Sequence, residues 1–136
     1  MKRSYYSENF ESFVKNSDDQ ILGELTKQHK FELDINQRNA WQEQIKILKK
    51  IITNFKDGYI AFEFEIPRMG KRIDNILIVE GVIFVLEFKV GESSFQRIDK
   101  IQVEDYSLDL KNFHKGSHDK TIVPILIITN GDTNLL

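Results

Sequence analysis

The sequence predicts an α/β domain with a mixed central sheet flanked by helices, and three observations carry that expectation. A long amphipathic helix over 36–55 precedes three strand-like segments at 59–66, 72–79 and 82–89. A second helix, over about 97–113, follows them. After it, Thr121-Ile122-Val123-Pro124-Ile125-Leu126-Ile127-Ile128 is an apolar run of strand length. It is continuous enough for a parallel-type strand buried on both faces.

The chain has 136 residues, 40% of them hydrophobic, which suffices for one compact domain with a real core. There is no cysteine, so disulfide frames and thiolate metal sites are excluded, a composition compatible with a cytoplasmic protein. The polar start, Met1-Lys2-Arg3-Ser4-Tyr5-Tyr6, lacks the apolar run of a signal peptide. Nowhere do about 18 apolar residues follow one another, so no membrane helix is expected. A net charge of −2 gives no bulk signature of nucleic-acid binding, and any such footprint must be local.

Residues 1–33 read as an N-terminal helical extension to a core at 34–136. A first helix near 7–15 is expected to bury Phe10, Phe13 and Val14. A capping box, Ser17 with Gln20, opens a second helix over 18–28 with Ile21, Leu22 and Leu25. His29 is expected at the surface. Asp34 and Gln37 offer another capping box for the long helix. On it Trp41, Ile45, Leu48, Ile52 and Phe55 form one stripe, widened by Ile47 and Ile51, which is expected to lie on the sheet. Glu43 borders this stripe and either points along the sheet toward Asp74 or is a plain exposed glutamate.

In the first strand Ile60, Phe62, Phe64 and Ile66 alternate with Glu63 and Glu65, so the strand is expected to be half-buried. Pro67-Arg68-Met69-Gly70-Lys71 is the loop to the next strand. Glu80-Gly81 has the length of a two-residue hairpin turn. The register it sets places Val79 opposite Val82, Leu77 opposite Phe84, Asp74 opposite Glu87 and Arg72 opposite Lys89.

Two carboxylates thereby face each other with Cβ atoms roughly 5 Å apart, on a strand pair otherwise apolar on both faces. Opposed like charges destabilise a sheet, and burial adds to the cost. A divalent cation between them, Mg²⁺ or Mn²⁺, is the simplest compensation. Lys89, on the same face as Glu87, would then hold a phosphate or a water. That arrangement suits phosphodiester hydrolysis. The competing account is an exposed Glu-x-Lys charge pair, but Ile76, Ile78, Ile83 and Val85 on the same face argue against a solvated surface. Glu63 is a fallback third ligand.

Arg68, Lys71 and Arg72 form a local basic cluster beside Asp74, and Lys46, Lys49, Lys50 and Lys56 form another on the long helix. On the last helix Gln102 and Tyr106 stand one turn apart, flanked by Ile98, Asp109 and Phe113. They either hydrogen-bond in a cleft or leave the Tyr hydroxyl in water. His114 and His118 are not counted as ligands, because Gly116 interrupts the helix that such spacing needs.

Asp74 followed by Glu87-Phe88-Lys89 on the second and third strands resembles the PD-(D/E)xK nuclease superfamily, with Ile73 in place of the proline. Ala40-Trp41, Ile66-Pro67-Arg68-Met69-Gly70-Lys71-Arg72-Ile73-Asp74, Val85-Leu86-Glu87-Phe88-Lys89-Val90-Gly91, 105–114 and the Val123-Pro124-Ile125-Leu126 strand look closer still to one group. They resemble the N-terminal nuclease-like domain of bacterial schlafen-like DNA/RNA helicases. The resemblance implies a restriction-endonuclease-like αβββαβ core and a Mg²⁺-dependent nuclease acting on nucleic acid, with DNA expected. It makes Asp74 and Glu87 metal ligands and Lys89 the residue that positions the nucleophile or stabilises charge. Glu43 would complete the site, and Gln102 with Tyr106 would be its accessory pair. Arg68, Lys71 and Arg72 would contact nucleic acid.

No Gly-x-x-x-x-Gly-Lys-Ser/Thr occurs, so a helicase motor would lie outside this chain. The last strand has no following helix to cover it, so the chain is expected to be one domain of a longer protein. The alternative is a nucleic-acid-binding or regulatory module on the same fold with weak or lost cleavage.

Overall fold

The computed structural model describes residues 3–28, 35–89 and 94–129. The expected cap at Asp34 and the surface position of His29 lie outside the described residues.

The N-terminal segment differs from the helical preface that its sequence suggests. Tyr6–Asn9 is a short strand, β1, and the first helix, α1, spans only Phe10–Lys15 and buries Phe10 and Phe13 but leaves Val14 42% exposed. Asn9 sets the boundary: its side chain accepts the Ser12 N–H at 2.8 Å, which caps the helix there and leaves the preceding residues extended. The second helix, α2 (Asp18–Gln28), starts at the expected capping box. Ser17 N–H donates to Gln20 Oε1 at 2.9 Å and Gln20 N–H to Ser17 Oγ at 3.1 Å.

The long helix, α3 (Ile35–Ile52), buries Trp41, Ile45, Leu48 and Ile52, each contributing about 1.5–3 kcal/mol of transfer free energy. Phe55 does not extend that stripe. The helix ends at Ile52 in a tightened turn, where Asn54 and Phe55 N–H reach Ile51 and Ile52 carbonyls, and Phe55 is left 45% exposed.

Strands β2 (Tyr59–Ile66), β3 (Lys71–Val79), β4 (Val82–Lys89) and β5 (Thr121–Ile128) join β1 in one five-stranded sheet of order β1-β2-β3-β4-β5. Pairings are antiparallel up to β4, and β5 runs parallel to β4 through helix α4 (Arg97–Phe113). The mixed α/β architecture is therefore as expected, with one strand more at the β1 edge. Glu80 and Gly81 both have positive φ, 51° and 79°, the conformation of a two-residue turn matched to strand twist. The register Val79–Val82 and Leu77–Phe84 follows from it.

Helices α1–α3 cover one sheet face, over Ile60, Phe62, Leu77, Val79, Leu86 and Phe88. Helix α4 covers the other with Val103 and Leu110, over Ile66, Ile73, Ile76, Ile83 and Val85. One expectation fails here: Ile60, Phe62, Phe64 and Ile66 do not share a face. The first two belong to the α3 side, and Phe64 and Ile66 to the α4 side. Glu63 adopts φ 54°, a left-handed conformation that rotates the chain, while the ladder to β3 resumes in register at Phe64–Ile73. On β3 the same switch separates Ile73 from Leu77. Both interruptions fall beside Asp74.

The β5 expectation also changes. Its apolar run is not buried on both faces: among the described residues β5 pairs only with β4, every residue keeps partial exposure, and Ile125 is 36% exposed. An edge position is where Pro124, lacking an N–H, is tolerated.

Candidate active site

The β3–β4 ladder runs from the turn as far as Asn75–Leu86. At the next position the backbones no longer bond each other, and two carboxylates take over. Glu87 Oε1 accepts the Asp74 N–H at 3.0 Å, and Asp74 Oδ2 accepts the Phe88 N–H at 2.8 Å. Asp74 and Glu87 are thus opposed as the turn register requires, and they bridge a fork between two strands.

Glu87 is only 5% exposed. Burial raises the Asp74 pKa, against the backbone N–H of Phe88. Burial, and then the neighbouring Asp74 charge, push Glu87 from 4.5 up to about 9. Two carboxylates this close cannot both ionise cheaply, so the pair keeps a proton at neutral pH.

Lys89 does not face Arg72, because the ladder ends before that pair. Its ammonium turns toward α4, 3.6 Å from Asp99 Oδ1 and 3.5 Å from Gln102 Oε1. Gln102 in turn donates to the Tyr106 hydroxyl at 2.8 Å, so these two residues hydrogen-bond to each other as the cleft reading expected. Lys71 lies 3.8 Å from Asp109 Oδ2 and 5.8 Å from the Tyr106 ring. Asp99, Gln102, Tyr106 and Asp109 fall at helical spacing, forming one polar face of α4 directed at the two lysines. Asp99, 8% exposed, is the residue that sequence reasoning missed. The signal was that spacing, one turn before Gln102.

Arg72 and Glu63 have partners outside the Asp74–Glu87 pair. Arg72 donates to the Glu63 carbonyl at 2.7 Å and stacks over Tyr5 at 4.4 Å. Arg68 is exposed with φ 68°. Glu63 accepts from Trp41 Nε1 at 3.2 Å, which turns it toward α3. Glu43 is exposed, whereas its neighbour Gln44 is buried with an oxygen lacking a partner. Among the described residues no third His, Asp or Glu joins the pair in a three-ligand group, so Glu43 and Glu63 are not brought to it. His114 Nδ1 meets Ser117 Oγ at 2.8 Å within one turn, and His118 Nδ1 meets the carbonyl of Lys111 on α4 at 2.6 Å.

The donor set suits a hard divalent cation. Both side chains are oxygen donors, their burial outweighs the opposing charge of Lys89, and Mg²⁺ is commonly held by one or two carboxylates with water filling the remaining positions. Compared with known proteins, the chain matches no family model, no curated protein and no solved structure. Among the described residues no helix is long and apolar enough to cross a membrane.

Proposed function

We propose that this chain is a metal-dependent nuclease domain that hydrolyses phosphodiester bonds in nucleic acid, with DNA as substrate and Mg²⁺ or Mn²⁺ as cofactor. The observation that carries the reading is the fork itself: two opposed, desolvated carboxylates with a lysine from the same strand. A purely structural role gives no reason to place that pair at the end of a ladder, where it is costly. The helix, three-strand, helix, strand order supports a restriction-endonuclease-like core.

In this reading Asp74 and Glu87 hold the cation, which polarises a phosphoryl oxygen and activates water when bound. The backbone N–H groups of Asp74 and Phe88 fix the two carboxylates before a metal arrives. Lys89 brings a positive charge to the incoming phosphate, where negative charge grows in the transition state. Asp99 and Gln102 set the direction of that ammonium. Tyr106 holds Gln102, and Lys71 and Arg68 offer phosphate contacts at the rim. A helicase module in the same polypeptide would supply strands to the site in the cytoplasm.

The test is cleavage of linear, circular and single-stranded DNA with Mn²⁺ or Mg²⁺, comparing the wild type with Glu87→Ala. Metal-dependent cleavage lost in the variant supports the reading, and the circular substrate separates endonuclease from exonuclease. Nucleic-acid binding without cleavage on any substrate would replace it with a recognition module on the same fold.

A further inference from the structure

Among the described residues no strand covers the outer edge of β1, and this edge borders a groove of about 470 Å³. Consecutive residues Ser4 to Glu8 form one wall, and Asp19, Gln20, Gly23 and Glu24 of α2 form the other. The Tyr5 N–H is spent on the Phe62 carbonyl of β2 at 3.0 Å, so the outward-facing groups fall at Ser7. Phe10 N–H donates to Gly58 O, next to β2, so antiparallel alternation turns Tyr6 and Glu8 toward β2 and Ser7 outward. Ser7 is exposed, leaving its N–H and C=O open to a further strand. The facing helix wall is low at Gly23, where an added Cβ would meet nothing within 4 Å.

The groove has one sign of charge. Glu8, Asp19 and Glu24 line it, and among the described residues no Lys, Arg or His does. Among the described residues none of the three takes part in an ion pair. Their field is felt within the groove: burial raises the Tyr6 hydroxyl pKa, and the charges of Glu8 and Glu24 raise it further. Nucleic acid is repelled by such a surface. A peptide strand with Lys or Arg at alternate positions satisfies both features, giving backbone bonds to the β1 edge and cations to the carboxylates.

We propose that the groove between β1 and α2 docks an extended basic peptide segment of a partner protein, added to the sheet as a strand beside β1. The proposal is independent of the nuclease reading, since neither Asp74 nor Glu87 lines this groove.

The experiment is fluorescence anisotropy of a labelled peptide alternating Lys and Val, titrated with the full chain at about 0.1 M salt, where only near charges act. Three comparisons accompany it: an Asp19→Lys, Glu24→Lys double variant, the same peptide N-methylated at alternate residues, and spermidine as competitor. The expected result is saturable binding that weakens about tenfold or more in the double variant. N-methylation should abolish binding, and spermidine at equal charge should fail to displace the peptide. Absence of binding overturns the proposal, as does binding that survives the charge reversal. Equal binding of the N-methylated peptide, or displacement by spermidine, also overturns it, because either would reduce the groove to a plain electrostatic surface.

Discussion

Asp74 and Glu87 stand across the mouth of the β3–β4 fork, each carboxylate taking a backbone N–H that a regular ladder would have given to a carbonyl. The hairpin therefore ends in side chains instead of peptide groups. This exchange fixes two acids in a desolvated position without neutralising them, and the chemistry proposed for the chain follows from that tension.

The tension has a pH signature. A carboxyl whose folded pKa lies above its unfolded value stabilises the fold fully below the unfolded value and loses that contribution as pH rises through the folded one. For Glu87 the window runs from 4.5 to about 9. Thermal denaturation of the metal-free protein should therefore show a midpoint that falls across this range. Glu87→Gln, which keeps the Oε1 acceptor for Asp74 N–H, should flatten the slope and gain about 1–3 kcal/mol at pH 8, the scale of a relieved buried polar penalty.

Lys89 is expected to act on the transition state. Lys89→Ala should lower single-turnover cleavage by about 10²–10³-fold with substrate affinity little changed, the usual loss for one electrostatic donor. Asp99→Asn leaves the ammonium in place and removes only the ion pair that orients it. Its loss should be smaller and should be accompanied by an altered pH–rate profile. Equal defects in the two variants would count against the division of roles.

Two glycines should respond in opposite ways to alanine. At Gly58 a Cβ would lie 2.3 Å from the Phe10 ring and 2.6 Å from the Ile78 carbonyl, so Gly58→Ala should destabilise by about 1–3 kcal/mol or more. At Gly23, inside α2 and facing open space, Gly23→Ala should stabilise by about 0.5–1 kcal/mol. Urea denaturation of the two variants measures both.

Much of the architecture was legible because its signals are local. The Ser17–Gln20 box, the Trp41-Ile45-Leu48-Ile52 stripe and the Glu80-Gly81 turn each follow from short spacings, and the turn alone aligned Asp74 with Glu87. What escaped depended on tertiary context. Strand β1 is four residues long and exists because β2 offers it an edge, so its pattern could not compete with an adjoining helix signal. The switch of face at Glu63 is a positive-φ glutamate, which composition does not announce. Arg72 belongs to the basic cluster in sequence, but Tyr5 and the Glu63 carbonyl hold it from other segments. Asp99 reads as a surface acid at a helix start until Lys89 is placed beside it.

The central claim is that the Asp74–Glu87 pair is a cation site now holding a proton, and calorimetric titration of Mn²⁺ onto the protein tests it most directly. Titrations at pH 6.5 and pH 8.5, repeated in buffers of different ionisation enthalpy, count the protons released. A cation displacing that proton should bind more strongly as pH rises, release protons on binding, and lose both properties in Glu87→Ala. No binding at the higher pH, or binding that persists in Glu87→Ala, would contradict it.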